Sequence, residues 1–194
     1  NGIGKLGKGE SVWLGWFALF AIDQLIALPS PYCQQKLMPH KGLWQQASRE
    51  LTNAIEQHAW DGEWYRRAVF DNGIWLGSQL NDECKIDAIC QSWAVLSNHA
   101  IPNRANKAMK MASQYLIRKE LGLALLFTPP FEKTNLEPGY IKGYPAGFRE
   151  NGGQYTHAAV WSVMALCKQA KIDQAFELFS MLNPINHALN EAHC

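Results

Sequence analysis

Net charge is nearly absent from this 194-residue chain. Lys and Arg number 18 and Asp and Glu number 17, so the formal net charge is +1, and only 18% of the residues are charged. Soluble chains average about 25% charged residues, and disordered chains are more highly charged than this one. A surface without a dominant charge does not attract nucleic acid or an anionic membrane. The sequence therefore predicts a globular domain with no nucleic acid partner.

Long apolar runs are also missing. The longest one extends from Val12 to Ile22, and Asp23 and Gln24 follow it. A transmembrane helix needs about 20 apolar residues, whereas a run of this length is typical of a buried core helix. We therefore predict no membrane span within this chain.

The signatures of metal, nucleotide and serine-hydrolase sites are absent. The six histidines form no HExxH pattern, and His193-Cys194 lies in a tail. The sequence contains no P-loop, no GxGxxG motif before a helix and no GxSxG motif. We predict no metal site and no bound cofactor.

The cysteines form no CxxC pair, and their number is odd: Cys33, Cys84, Cys90, Cys167 and Cys194. In a secreted protein an odd number would leave one thiol unpaired, so reduced thiols in a cytoplasmic compartment are predicted.

A start methionine and a signal peptide are missing as well. Residues 1–9 are rich in glycine and are predicted to form a flexible loop, and the chain closes on residues 192–194. We interpret residues 1–194 as a single partial domain, a segment of a longer protein.

Aromatic residues, by contrast, are plentiful, with eight Trp, six Tyr and eight Phe. This composition is typical of a tightly packed core and equally of a cleft in which sugars stack on aromatic rings. Composition alone does not separate the two.

Helical patterning dominates the chain. Apolar residues recur at helical spacing in several segments, which predicts helices at 10–28, 41–59, 86–99, 102–117, 155–170 and 172–182. The first has almost no polar face and is expected to be buried on several sides. Prolines at positions 29, 31 and 39 predict a break before the second.

Two segments depart from this pattern. Asp71-Asn72-Gly73 separates the apolar runs 68–70 and 74–76, which predicts a β-hairpin. Residues 122–153 form a long irregular stretch that we expect to bind ligand. Helix pairs joined by long loops at one end predict an all-α fold that is part of an α/α barrel.

The densest candidate site lies in residues 144–157. Gly152-Gly153 would let the backbone approach a ligand closely, and the helix start that follows favours an anion. Arg149 could add a cation, His157 could donate to an oxyanion from the first turn, and Glu150 could accept sugar hydroxyls. The alternative is a glycine-containing loop with Thr156 as a helix cap and His157 as a core histidine.

Two further clusters carry possible functional groups. Asp82, Glu83 and Asp87 could form an acid–base pair, although capping of the following helix by Asp82 and Glu83, with Asp87 in its first turn, is the simpler reading. Asp87 and Gln91 share one helix face and could line a cleft. Residues 60–67, with Trp64 among them, could recognise a pyranose or could be a hairpin docked on the helical core.

Residues 140–145 and 149–159 closely resemble the inverting disaccharide phosphorylases of glycoside hydrolase family 94. Supporting segments occur in order along almost the whole chain, at 9–14, 60–67, 81–83, 91–93 and 183–187. The resemblance is strongest to the C-terminal phosphorylase-like domain of cyclic β-1,2-glucan synthases. It implies an (α/α)6 barrel of which this chain is the C-terminal part.

The resemblance also implies a chemistry. Phosphate, the co-substrate, attacks the anomeric carbon while a protonated Asp donates to the leaving oxygen, with inversion. His157 corresponds to the phosphate-binding histidine of the family, Arg149 and Glu150 to a pair that holds sugar hydroxyls, and Tyr144 to a tyrosine that contacts the sugar.

Two family motifs are not in this sequence. The Asp-Trp-Asn-Asp-Gly motif that carries the general acid would precede residue 1, with Asn1-Gly2 as a remnant at most, and a Thr-Gly phosphate loop would follow Asn186-His187. Arg149, where soluble members tend to carry Lys, and Ala158 after His157, where they carry Thr, favour the synthase branch. We therefore expect the chain to bind phosphate and sugar but to be inactive alone.

The sequence leaves three functions open. The first is phosphorolysis of β-glucan that sets chain length on the cytoplasmic side of a membrane-embedded parent, with the rest of the parent polypeptide as partner. The second is a soluble cellobiose- or oligoglucan-type phosphorylase, and the third is a non-catalytic glucan-binding module. A partial barrel would expose an apolar flank, so a homodimer is a further expectation.

Overall fold

Helices form most of the structure, a computed structural model that describes residues 2–29 and 31–189 and, among these, all side chains but those of 32–34. Within these residues the helices are α1 (Val12–Ile26), α2 (Pro31–His58), α3 (Ala88–Leu96), α4 (Pro102–Leu116), α5 (Thr156–Lys168), α6 (Ile172–Met181) and α7 (Pro184–Ala188). Two 3₁₀ turns cover Lys119–Leu121 and Tyr140–Gly143. The predicted all-α character is confirmed.

The first six helices form three hairpins in two layers. Helix α3 packs beside α1 on one side and beside α5 on the other, while α2, α4 and α6 each pack against the helix that precedes them. Ser92 of α3 and Ser162 of α5 share a buried hydrogen bond of 2.9 Å, which requires the two helices to approach closely. The predicted pairing of helices is therefore present.

Short strands connect these helices: β1 (Glu10–Ser11), β2 (Ala68–Val69), β3 (Trp75–Leu76), β4 (Ile86–Asp87), β5 (Ile117–Arg118), β6 (Leu123–Ala124) and β7 (Phe127–Thr128). Strands β1, β2 and β3 form an antiparallel sheet, and β4 pairs with β7 and β5 with β6. The predicted hairpin is the β2–β3 pair. Gly73 occupies its turn at φ +83°, a conformation that favours glycine.

The N-termini of α1, α3 and α5 meet at one end of the fold. The Arg67 carbonyl accepts the N–H of Val12, the first residue of α1, while the Arg67 guanidinium pairs with Asp87, directly before α3. Leu126 then accepts the N–H of Ala88 and donates its own N–H to Gly153, three residues before α5. The loops that connect these helices therefore lie at this end of the fold.

The Arg67–Asp87 ion pair is buried, with the two side chains 14% and 1% exposed. Burial by itself would lower the pKa of Arg67, but the adjacent Asp87 carboxylate raises that pKa above its ordinary value, so Arg67 keeps its charge. Asp87 also accepts the N–H groups of Ile89 and Cys90 as the N-cap of α3.

The predicted start of α3 was therefore wrong. Asp87, expected in the first turn, is the N-cap, and neither Asp82 nor Glu83 caps the helix. The helix ends at Leu96 rather than near His99, because the chain turns at Asn98 with φ +66°. Residues four to five positions upstream of the real cap lie in a turn, too far to reach the free N–H groups.

The predicted break at Pro39 was also wrong, because α2 is continuous from Pro31 to His58. Proline within a helix removes one backbone hydrogen bond and costs about 3 kcal/mol. Pro39 is exposed, as is Gln35, whose carbonyl loses its partner and can be hydrated instead. The remaining length of the helix and its packing on α1 outweigh the local preference.

Helix α1 is less buried than predicted. Val12, Trp16 and Leu19 are buried, but Leu14, Phe17 and Leu25 are 51%, 41% and 43% exposed. An apolar flank is thus open on the α1 side of the fold.

The N-terminal loop is attached rather than flexible over residues 6–9. The Asp71 carboxylate of the β2–β3 turn accepts the N–H groups of Leu6, Lys8 and Gly9 at 3.0, 2.8 and 2.8 Å. These bonds outweigh the effect of burial and lower the pKa of Asp71 below its ordinary value. Of the suggested motif remnant Asn1-Gly2, Asn1 lies outside the described residues and Gly2 lies within them.

Cys84, Cys90 and Cys167 are free thiols. Burial raises the pKa of the Cys84 thiol to about 12 and that of Cys90 well above its ordinary value, so both are neutral at physiological pH. The side chains of Cys33, His193 and Cys194 lie outside the described residues. In the part of the chain that the structure describes, no helix has the length and apolar character needed to cross a bilayer.

Replacement of Asp87 by Asn should destabilise the chain by about 3–5 kcal/mol, because the Arg67 charge would remain buried without a counterion. Urea unfolding followed by tryptophan fluorescence measures this loss. The matched control is Glu63→Gln, which removes the exposed pair with Lys107 and should cost less than about 1 kcal/mol. Equal losses in the two variants would contradict the role given to the buried pair.

The attachment of residues 6–9 should depend on pH in the acid range. Because the folded-state pKa of Asp71 is depressed, the attachment is complete above the ordinary value of 3.8 and is lost as the pH falls through the lower folded-state value. The amide NMR shifts of Leu6, Lys8 and Gly9 should titrate together in this range. The titration should be absent in Asp71→Asn and unchanged in Asp173→Asn, an exposed carboxylate on α6.

Candidate functional site

The long loop of residues 122–153 is fixed by side chains that reach across from other segments. Glu83 accepts the N–H groups of Glu132, Lys133 and Thr134 at 3.0, 2.7 and 3.1 Å. Partial burial alone would raise the pKa of Glu83, but these three bonds outweigh it and the pKa is lowered. Glu83 therefore anchors the loop. The sequence pattern instead indicates a helix cap or a catalytic acid at this position.

Asn151 is the second anchor of this loop. Its side chain is fully buried, accepts the N–H of Phe131 at 2.7 Å, and donates to the carbonyls of Phe131 and Tyr144, both at 2.8 Å. One amide thus joins two turns of the loop that are 13 residues apart. The position belongs to the 144–157 motif, but its sequence signal does not distinguish an anchor from a ligand contact.

Gly152 and Gly153 approach protein backbone rather than an open cleft. Gly152 has φ +80°, and a Cβ there would lie 2.9 Å from Pro130. A Cβ on Gly153 would lie 2.6 Å from the Gly147 carbonyl oxygen and 3.0 Å from backbone atoms of Arg149. The prediction that these glycines admit a ligand was wrong, since they let the loop fold onto itself.

Tyr144, Arg149 and Glu150 are brought together by this folding. The Arg149 guanidinium lies over the Tyr144 ring, 4.9 Å from its centroid, and the Arg149 Nε is 3.7 Å from Glu150 Oε2. Arg149 is 67% exposed and its backbone has φ +46°, so the loop directs its side chain to solvent.

Glu150 carries an unsatisfied oxygen. Its side chain is 17% exposed, and Oε2 is buried and makes no hydrogen bond, because 3.7 Å to Arg149 is beyond hydrogen-bond distance. A buried carboxylate oxygen without a donor is costly, which points to a hydroxyl or N–H supplied from outside the described residues.

His157 lies in the first turn of α5, as predicted, but it is exposed and is not a core histidine. Its ring contacts Trp161, with 4.3 Å between the centroids. The N-cap is Tyr155, which makes no side-chain cap, so the reading of Thr156 as the cap was also wrong. The helix N-terminus beside His157 therefore lacks a side-chain acceptor for its first N–H groups.

Trp161 connects His157 to a line of aromatic rings on the α1, α3 and α5 layer. The Trp161 centroid lies 5.9 Å from that of Trp13 and 5.3 Å from that of Trp93, and Phe17 packs edge-on against Trp93 at 4.9 Å. These aromatic residues therefore pack between the helices, and the exposed His157 lies at the edge of their cluster.

Asp87, Gln91 and Trp64 do not line a cleft. All three side chains are buried: Asp87 pairs with Arg67, Gln91 bonds the backbone N–H and carbonyl of Tyr65, and Trp64 Nε1 donates to the carbonyls of Gly77 and Lys85. Residues 60–67 are accordingly a structural segment docked on the helices. Periodicity could not exclude the cleft, because it does not report what covers a helix face.

Among the described residues, no group of three His, Cys, Asp or Glu side chains is arranged to hold a metal ion.

Comparison with known proteins identifies one family. Residues 1–193 match the model of the glycosyl hydrolase 94 superfamily, catalytic domain. The match covers the whole of the candidate site and the segments that support it.

Individual relatives include one synthase and several phosphorylases. The chain is 45% identical over 192 residues to the cyclic beta-(1,2)-glucan synthase of Rhizobium meliloti (strain 1021), a match that covers 98% of this chain and 7% of that protein. It is 30% identical over 193 residues to the solabiose phosphorylase of Paenibacillus borealis and 30% over 184 residues to the N,N'-diacetylchitobiose phosphorylase of Vibrio furnissii. It spans 25% and 22% of those two proteins and so corresponds to a minor part of each relative.

A methyl group on Gly153 should disturb the candidate site. Gly153→Ala forces the Gly147 carbonyl and the Arg149 backbone apart and should cost about 1–3 kcal/mol. Unfolding in urea gives the stability, and hydrogen exchange of residues 144–151 reports the displacement. The control is Gly143→Ala, in the same loop, where a Cβ meets nothing within 4 Å and a change within about 0.5 kcal/mol is expected.

Proposed function

The chain belongs to the glycosyl hydrolase 94 superfamily, and we propose that it forms the C-terminal part of a domain that cleaves β-glucan by phosphorolysis. The observation that carries this proposal is the unsatisfied Glu150 oxygen beside Arg149 and Tyr144, in the loop that leads to His157 at the start of α5. In the sequence, these acceptors and donors for sugar hydroxyls come shortly before an uncapped helix N-terminus that favours an anion.

His157 binds phosphate in this proposal. Its exposed imidazole and the first N–H groups of α5 can both donate to a phosphate oxygen, and the contact with Trp161 orients the ring. Phosphate is already an anionic nucleophile, so no second carboxylate is needed to activate water, as an inverting hydrolase would require.

Glu150, Arg149 and Tyr144 hold the sugar. Glu150 Oε2 accepts a sugar hydroxyl, Arg149 donates to another, and the Tyr144 ring limits the freedom of the guanidinium through the contact at 4.9 Å. Each hydrogen bond that a sugar hydroxyl loses to water is then replaced by a charge-assisted hydrogen bond to the protein.

The general acid lies outside this chain in the proposal, on the segment before residue 1. Asp71 is then a positioning residue, because it holds residues 6–9 through three backbone bonds and so sets where the preceding segment arrives. The chain alone supplies phosphate and sugar contacts without the acid and is inactive.

The parent protein completes the fold. Three helix hairpins in two layers, with an exposed apolar flank on α1, support the C-terminal part of an (α/α)6 barrel closed by other segments of the parent polypeptide. In the absence of those segments the same flank favours a homodimer.

The 45% identity to a cyclic beta-(1,2)-glucan synthase supports a parent of the synthase type, in which phosphorolysis trims linear β-1,2-glucan on the cytoplasmic side of the inner membrane and so controls chain length. A soluble phosphorylase is the second candidate, favoured by the 30% identity to the solabiose phosphorylase over the full chain.

The test is release of glucose 1-phosphate from β-1,2-gluco-oligosaccharides in the presence of phosphate. It compares this chain with one extended upstream through the acid motif, and activity is expected only in the extended chain. Cellobiose as substrate tests the soluble alternative, and a folded extended chain that binds glucan without turnover indicates the non-catalytic module.

His157→Ala in the active extended protein should raise the KM for phosphate by about 10- to 100-fold, the loss of one charge-assisted hydrogen bond, while the KM for glucan changes little. His40→Ala, which removes an exposed histidine on α2, is the control. An unchanged phosphate requirement would refute the assignment of His157.

A further inference from the structure

A cavity of about 560 Å³, lined by polar side chains and by Ile26, lies at the opposite end of the fold from the candidate site. Asp23 reaches it from the C-terminal end of α1, and His99 from the turn after α3. Both helices begin at the loop end, so at 1.5 Å per residue the length of α1 separates the two places by roughly 20 Å. The volume falls within the roughly 300–1,000 Å³ of small-molecule sites.

One face of α2 forms the wall of this cavity with Gln45, Ser48, Arg49, Thr52 and Asn53. These positions follow the i, i+3, i+4, i+7, i+8 spacing of a single helix face. Such a stripe is normally apolar where a helix packs on its neighbours, and here every member is polar. The sequence contains this stripe, but only the structure shows that it faces a cavity.

Ser48 is the unusual member of the wall. It is 7% exposed, and its Oγ is buried without a hydrogen-bond partner. Buried helix serines usually bond the carbonyl four residues back. Ser92 and Ser162 do so with Ala88 and Ala158, at 2.8 and 3.4 Å. Ser48 also lines the cavity, so rotation about its Cα–Cβ bond can offer the unpartnered hydroxyl to a molecule there.

Asp23, His99 and Thr52 form a hydrogen-bonded chain along the same wall. His99 Nε2 is 2.9 Å from Asp23 Oδ2, and His99 Nδ1 is 3.3 Å from Thr52 Oγ1. A carboxylate only accepts, so His99 Nε2 donates to Asp23. The Thr52 hydroxyl oxygen has two lone pairs, so whichever of Thr52 Oγ1 and His99 Nδ1 is the donor, Oγ1 keeps a lone pair that can accept a hydroxyl.

The charges of the cavity select the class of ligand. Arg49 makes no hydrogen bond or ion pair with any described residue and can donate, while Asp23 keeps acceptor capacity. An anion would meet Asp23, a cation would meet Arg49, and an apolar molecule would strip water from the whole stripe. Vicinal hydroxyl groups, which donate and accept together, satisfy both charges and the amides of Gln45 and Asn53.

We infer that this cavity is a second binding site, for a neutral polyhydroxylated ligand such as a glucose unit. It is separate from the loops that hold Glu150 and His157. The inference does not depend on phosphorolysis, since it rests on the cavity, the unpartnered Ser48 hydroxyl and the mixed donor and acceptor lining.

The experiment measures binding of a β-1,2-linked glucose disaccharide to the parent protein by calorimetry, in a Glu150→Gln background that weakens the candidate substrate site. Arg49→Ala should weaken the remaining binding by about tenfold, the loss of one charge-assisted hydrogen bond, and Ser48→Ala should weaken it by a smaller factor. Glu50→Gln, next to Arg49 on α2 but outside the cavity, and Arg118→Ala, a matched arginine elsewhere, should leave it unchanged.

Turnover separates this inference from the proposed function. Without the Glu150 substitution, Arg49→Ala should leave the kcat of phosphorolysis unchanged. Disaccharide binding that is indifferent to both Arg49→Ala and Ser48→Ala would overturn the inference, as would Arg49-dependent binding of inorganic phosphate in place of the disaccharide. Arg49-dependent sugar binding in a protein without phosphorolysis would support the second site and remove the proposed activity instead.

Discussion

The buried Arg67–Asp87 ion pair is the contact on which the functional end of this fold depends. The Arg67 carbonyl accepts the N–H of the first residue of α1, and Asp87 is the N-cap of α3. Leu126 then connects the first residue of α3 to Gly153, which precedes α5. Three helix N-termini are therefore placed by one charged pair and a few backbone bonds. A charge buried here is tolerated because each partner is both neutralised and hydrogen-bonded.

Polar side chains fix the backbone of the loops, where there is no regular secondary structure to do so. Asp71, Glu83 and Asn151 each hold backbone groups that are distant in sequence, and together they attach the N-terminal loop, the middle of the long loop at residues 132–134, and the end of that loop. Loops fixed in this way can present Arg149 and His157 to solvent and hold Glu150, which is mostly buried, beside Arg149. Rigid backbone and exposed side chains are the combination that a preorganised sugar and phosphate site requires.

The two ends of the helical layer differ in chemistry. At the loop end, the groups proposed to bind ligand are a carboxylate, a guanidinium and an imidazole beside a helix N-terminus, which suits an anion and a sugar. At the other end, amides, hydroxyls and the Arg49 guanidinium on α2 line a cavity together with the Asp23–His99 pair. A glucan that contacts both ends would have to be several units long, so the distance between the two sites bears on how a long substrate is held.

Local sequence patterns predict most of the helices, the β2–β3 hairpin and the family. Pro102 at the start of α4, Asp71-Asn72-Gly73 in its hairpin and the 149–157 motif act through neighbouring residues, so their consequences can be read locally. The folded chain was needed to show that Asp87 rather than Asp82 or Glu83 caps α3, that Glu83 and Asp71 hold loops, that Gly153 faces Arg149 rather than a ligand, and that Ser48 has no partner. Glu83 and Asp71 hold backbone groups 49 or more positions away, and Gly153 meets Arg149 through the close return of a folded loop. One-dimensional spacing carries no information about which distant atoms meet.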